Sequence, residues 1–220
     1  KADAAVTIDV SGAKSDSKGW TLVGGSGTGD DVLKGGAAVD IITGGAAADT
    51  ITGNGGDDTI TGGAGDDIIT GGTGNDIITV DAGKDTVLDL GGSGGSESDV
   101  VIVNSGATLD ATGIAGFTAT NVTTNKSTDA TKATLTAKAD AVVTIDVSGA
   151  KSDSNGWTLV GGSGTGDDVL KGGAAADIIT GGAAADTITG NGGIDTITGG
   201  AGDDIITGGA GNDIITVDSG

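Results

Sequence analysis

Thirteen aspartates at nine-residue intervals carry the chemistry open to this sequence. Asp31, Asp40, Asp49, Asp58, Asp67, Asp76 and Asp85 form one series, and Asp168, Asp177, Asp186, Asp195, Asp204 and Asp213 form a second. Each sits at the sixth place of a glycine-rich line. From Gly35 the lines read GGAAVDIIT, GGAAADTIT, GNGGDDTIT, GGAGDDIIT and GGTGNDIIT, and the series returns from Gly172 to Thr216. A glycine-rich turn exposes backbone carbonyls, and one aspartate per turn adds charge. Such an all-oxygen donor set suits Ca²⁺, which takes six to eight oxygens at about 2.3–2.6 Å. Plain turn chemistry also favours Asp and Gly. It does not explain Asp fixed at one place with Gly recurring at three others.

The elements that position these carboxylates follow from the same lines. Glycine at places one, two and four permits positive φ and close backbone approach. Place eight is always aliphatic: Leu33, Ile42, Ile51, Ile60, Ile69, Ile78 and Val87. The pattern predicts a turn of about six residues and then a strand of about three, with place eight inward and places seven and nine outward. Two lines make one 18-residue coil, rising about 4.8 Å along the axis. A variant line, GTGDDVLK, precedes the series, and VDAGKDTVL follows it. Ala38, Ala47, Ala175 and Ala184 stand where the fourth-place glycine is expected, at a cost of about 1 kcal/mol wherever φ is positive. Asp57 is replaced by Ile194 in the second series, so the fifth place is expected to offer its backbone carbonyl rather than its side chain.

A longer repeat encloses the short one. Residues 1–83 return as 138–220, an offset of 137, with only Ala5/Val142, Lys18/Asn155, Val39/Ala176, Asp57/Ile194, Thr73/Ala210 and Ala82/Ser219 differing. Near identity over that length marks tandem copies, read as a window on a longer array. The expected organisation is lead-in strands over 1–23, a roll over 24–88, a loop and less regular solenoid over 89–137, lead-in strands over 138–160 and a second roll over 161–220. A Thr-rich flexible connector is the alternative for 89–137.

Composition excludes several functions. Glycine occurs 47 times, Pro, Cys, Met, His and Tyr are absent, and Phe117, Trp20 and Trp157 are the only aromatics. The core must therefore come from β-branched residues, which favour strands. Without Cys there is no disulfide framework and no thiolate metal site. The net charge of -21, with Glu97 the sole glutamate, repels nucleic acid and keeps the chain unfolded until cations neutralise it. No apolar run approaches the roughly 20 residues of a membrane span. GGSGG at 91–95 formally fits a nucleophile elbow. With no histidine a serine triad cannot be built, so the stretch reads as a linker. Adjacent carboxylates such as Asp66 and Asp67 point apart on a strand and make no acid–base pair, so no catalysis is expected.

Outward columns remain to be placed. Thr43, Thr52, Thr61, Thr70 and Thr79 occupy place nine, and Ile41, Thr50, Thr59, Ile68 and Ile77 place seven. They read as strand-forming filler, as a surface for lateral self-packing, or as an ordered-water face. Trp20 and Trp157 are expected to cap the apolar stack. Asn121 and Asn125 head glycosylation sequons of little weight here.

The lines match the G-G-x-G-x-D-x-U-x repeat, and the chain resembles the RTX (repeats-in-toxin) family, surface-layer and adhesin-like members in particular. The resemblance implies an all-β, right-handed parallel β-roll with Ca²⁺ between turns on one edge. Asp31 would then pair with Asp49, Asp49 with Asp67 and Asp67 with Asp85, while Asp40 pairs with Asp58 and Asp58 with Asp76. It further implies a secreted, self-associating structural unit of a bacterial surface layer, fibre or adhesin stalk. The alternative is the calcium-binding type I export region of a toxin or hydrolase.

Overall fold

The computed structural model describes residues 4–13, 18–90, 97–105, 107–114, 116–118, 123–126, 133–137, 142–151 and 155–218. The GGSGG stretch and Asn121 lie outside them. Threonine, isoleucine and valine triplets between glycine-rich turns leave strands as the available element, and the described residues contain no helix.

The first copy forms β1 (Thr7–Asp9), β2 (Thr21–Val23), β3 (Val32–Lys34), β4 (Ile41–Ala46), β5 (Thr50–Gly55), β6 (Thr59–Ala64), β7 (Ile68–Thr73), β8 (Ile77–Val80) and β9 (Gly83–Val87). Then come β10 (Val100–Val103), β11 (Ala107–Ile114), β12 (Phe117–Thr118), β13 (Thr124–Asn125) and β14 (Ala133–Ala137). The second copy forms β15 (Thr144–Asp146), β16 (Thr158–Val160), β17 (Val169–Lys171), β18 (Ile178–Ala183), β19 (Thr187–Gly192), β20 (Thr196–Ala201), β21 (Ile205–Ala210) and β22 (Ile214–Thr216). Pairing is parallel, and the regular lines stack 18 residues apart, as in Thr50 on Ile68 and Ile41 on Thr59. Eight of the strands in the regular lines run six residues, longer than the three expected, because they continue through places one, two and three of the next line.

One eleven-stranded sheet runs the length of the molecule in the order β1-β3-β5-β7-β9-β11-β14-β16-β18-β20-β22. A six-stranded sheet (β13-β10-β8-β6-β4-β2) and a five-stranded sheet (β12-β15-β17-β19-β21) complete the coils. In the first copy the long sheet takes the odd-numbered strands. Between β11 and β14 the chain places two strands, β12 and β13, in the other two sheets, and afterwards the long sheet takes the even ones. Equivalent lines of the two copies therefore exchange sheets: β4, β6 and β8 lie in the six-stranded sheet, whereas β18, β20 and β22 lie in the long one.

A single apolar core spans both copies, from Leu22 to Ile197. Place eight supplies it: Leu33, Ile42, Ile51, Ile60, Ile69 and Ile78 are all fully buried. Trp157 is buried inside this stack because β14 covers β16. Its counterpart Trp20 is 43% exposed, since β2 ends its sheet. Trp157 is thus an interior residue rather than a cap. Asn125 is also buried, its Nδ2 donating to Gly156 O, which removes that sequon from the surface.

The positive-φ positions lie at places two and four. Place two holds Gly45, Asn54, Gly63 and Gly72, and place four Ala47, Gly56, Gly65 and Gly74. Of the four alanines in question, Ala47 and Ala184 adopt φ 80, whereas Ala38 and Ala175 are not in this region. Glycine would relieve strain only at the former. Ala47→Gly is accordingly expected to leave the calcium-loaded roll about 1 kcal/mol more stable than Ala38→Gly does, measured by urea unfolding.

Candidate metal-binding turns

The place-six aspartates form ladders along both edges of the roll. On one edge of the first copy the Asp31 N–H donates to Asp49 Oδ1 (2.8 Å), Asp49 N–H to Asp67 Oδ1 (2.8 Å) and Asp67 N–H to Asp85 Oδ1 (3.0 Å). On the other edge Asp40 N–H donates to Asp58 Oδ1 (2.7 Å) and Asp58 N–H to Asp76 Oδ1 (2.8 Å). In the second copy Asp168, Asp186 and Asp204 form one ladder, and Asp177, Asp195 and Asp213 the other. Eleven of the thirteen side chains are buried. Asp204 and Asp213, next to the terminal strands, are half-buried.

Two features escape a reading by nine-residue register. Asp99, 1% exposed, continues the second ladder by accepting the Asp76 N–H at 2.8 Å. Its signal is the Asp-Val-Val-Ile run, displaced from register by the preceding insertion. At place five, side chains make a ladder of their own. Asp57 Oδ1 accepts the Asn75 N–H, Asp66 Oδ1 that of Lys84 and Asp30 Oδ1 that of Ala48. The fifth-place side chain thus serves as an exposed acceptor of a backbone N–H, and Ile194 forgoes that bond.

The donor geometry fits a hard cation. Oδ2 of Asp49, Asp58, Asp67, Asp76, Asp85, Asp186 and Asp195 is buried with no hydrogen-bond partner. An uncompensated buried carboxylate oxygen is costly, so a positive ligand there is strongly favoured. Glycine at place one makes the room. A Cβ on Gly53 would strike both Asp58 Oδ2 and Gly71 O, and one on Gly44 both Asp49 Oδ2 and Gly62 O. The Oδ2 atoms of Asp49, Asp58, Asp186 and Asp195 therefore each share a slot with a backbone carbonyl one coil further on. Among the described residues no group of three acidic side chains is placed to hold a metal by itself. Carbonyls must supply most of the ligands, which suits calcium and its flexible oxygen coordination.

Electrostatics point the same way. Burial pushes Asp58 and Asp85 up to about 7, and Asp67, Asp76 and Asp186 up to about 6. Neighbouring carboxylates add to the rise, and the N–H of the preceding coil's aspartate opposes it. Burial also raises Asp49 and Asp195. It pushes Asp177 up to about 7 as well, although two amides hold that carboxylate, so the rise marks burial rather than the missing partner. The ion pairs Lys34–Asp9 (3.8 Å), Lys84–Asp110 (3.6 Å) and Lys171–Asp146 (3.0 Å) lie on the outer strand faces and involve no place-six aspartate.

The family model of the RTX calcium-binding nonapeptide repeat matches the chain in four places, residues 25–60, 52–87, 162–197 and 189–220, together more than half of it. No curated protein sequence matches the chain.

Proposed function

The chain belongs to the family of proteins built from RTX calcium-binding nonapeptide repeats, and on that premise we propose that it is a non-catalytic structural unit of a bacterial surface layer, fibre or adhesin stalk. Calcium is bound by the nonapeptide motif. The ligands in this reading are the unpartnered Oδ2 atoms of the place-six aspartates, together with turn carbonyls. The protein leaves the cell unfolded, where calcium is scarce, and folds outside, where it is plentiful. Calcium binds the folded turns and not the open chain, so its binding energy becomes folding energy.

The observation that carries this reading is the unbroken eleven-stranded sheet and the single core that join two near-identical copies. A tandem array built this way is one continuous rod, in which each copy stiffens the next. An export region needs no such continuity between copies.

A calcium titration from a chelated start, followed by circular dichroism and light scattering together, tests the reading. Both signals are expected to rise with Ca²⁺ and neither with Mg²⁺ at the same concentration. A rise in β signal with flat scattering would keep the roll and discard assembly, leaving the export region as the better role.

A further inference from the structure

The place-six aspartates fall into two classes. Asp31, Asp40, Asp168 and Asp177, at the first two turns of each copy, have both carboxylate oxygens engaged by backbone amides. Their Oδ1 atoms accept the N–H groups of Val6 (2.7 Å), Trp20 (2.6 Å), Val143 (2.9 Å) and Trp157 (2.7 Å) respectively. Their Oδ2 atoms accept those of Gly25 (2.5 Å), Gly36 (2.6 Å), Gly162 (2.7 Å) and Gly173 (2.7 Å). The later turns lack this second amide, as the orphaned Oδ2 atoms of Asp49, Asp58, Asp186 and Asp195 record.

The cause is local backbone conformation. In the later lines the place-two residue has positive φ: Gly45, Asn54, Gly182 and Asn191. Gly36 and Gly173 at the same place do not, nor do Gly25 and Gly162, which stand six residues before Asp31 and Asp168, and the N–H groups of all four turn onto the carboxylate. The slot itself is unchanged. A Cβ on Gly35 would still strike Asp40 Oδ2 and Gly53 O, as one on Gly53 strikes Asp58 Oδ2 and Gly71 O. What differs is the occupant: an amide dipole with its positive end on Oδ2 stands where a cation would approach.

We infer that Asp31, Asp40, Asp168 and Asp177 are amide-satisfied caps that bind no calcium, and that the calcium column of each copy begins with the next two turns, at Asp49 and Asp58 and at Asp186 and Asp195. This rests on the proposed calcium-loaded roll. It makes the first coil of each copy a metal-independent seat, against which the first calcium-dependent turns stack.

Native mass spectrometry of the calcium-saturated full chain, checked by equilibrium dialysis with ⁴⁵Ca, counts the bound ions. The double variant Asp40→Asn/Asp177→Asn is expected to keep the parent's count, while the double variant Asp58→Asn/Asp195→Asn loses one ion per copy. Loss of an ion per copy from the first variant would overturn the inference. A parent that binds no calcium would instead overturn the reading beneath it. Should the cap variant fail to fold, hydrogen exchange on the unaltered calcium-loaded chain decides. The Gly36 and Gly173 amides are expected to exchange at least about a hundredfold more slowly than unprotected glycine amides. Unprotected exchange at both would mean that calcium has displaced them.

Discussion

Chelating calcium at about pH 7.5 is expected to abolish the β-sheet circular dichroism of this chain, and lowering the pH to about 5 in the same chelator to restore a large part of it. Without metal the folded roll must bury carboxylates whose Oδ2 atoms have no partner. Burial holds Asp58 and Asp85 at about 7 and Asp67, Asp76 and Asp186 at about 6, against 3.8 for the same groups in the open chain. Between those values the folded state binds protons that the unfolded state does not, so the stability of the metal-free roll falls as pH rises. That stabilisation is fully present below about 3.8 and is lost as pH climbs through 6 to 7. Lower net charge at acid pH acts in the same direction by easing self-repulsion. Calcium requires the deprotonated carboxylate, so its affinity has the opposite dependence and strengthens with rising pH. Protons and calcium are alternative ways to neutralise one buried column. A chelated sample with less β signal at about pH 5 than at about pH 7.5 would show that the carboxylates are not the groups that gate folding.

Much of this molecule is legible in its sequence, because the nine-residue period ties residue type to place. The aliphatic at place eight must face inward, and Ile42, Ile51 and Ile60 do. Two lines per coil put Asp31 over Asp49 and Asp40 over Asp58, as the ladders show. Legibility stops where the register stops. Asp99 joins a ladder across a 23-residue step instead of 18, so counting by nines passes over it. The exchange of sheets between copies depends on how many strands the irregular coil contains. That number is set by where β12 and β13 find partners, and no local pattern encodes it. Trp20 and Trp157 sit in nearly identical segments yet differ in burial, since burial belongs to the neighbouring coil and not to the residue. The two classes of place-six aspartate are equally hidden. Gly36 and Gly45 are the same residue at the same place, and only the backbone distinguishes them.

Gly53→Val is expected to be the most damaging conservative-looking substitution in the first roll, abolishing calcium binding at its turn and destabilising the roll by about 4 kcal/mol or more. Gly53 has ordinary φ, so the effect is one of space and not of backbone strain. A Cβ there collides with Asp58 Oδ2 and with Gly71 O, the two oxygens that share one slot. Neither can yield cheaply. Asp58 is tied through Oδ1 to the Asp40 N–H at 2.7 Å, and Gly71 lies in β7, two residues after the fully buried Ile69. The added methyls also fill the volume a cation would need, so extra calcium cannot restore binding at this turn and acts only through the turns left intact. Ala64→Val is the control, since Ala64 is exposed at place three of its line, the last residue of β6, where a β-branched side chain suits a strand. Calcium titrations followed by circular dichroism should place the Ala64→Val midpoint close to the parent's. For Gly53→Val the transition should move to at least about tenfold higher calcium, with a reduced final signal. A Gly53→Val midpoint close to the parent's would mean that the space over the place-one glycine is not where calcium acts.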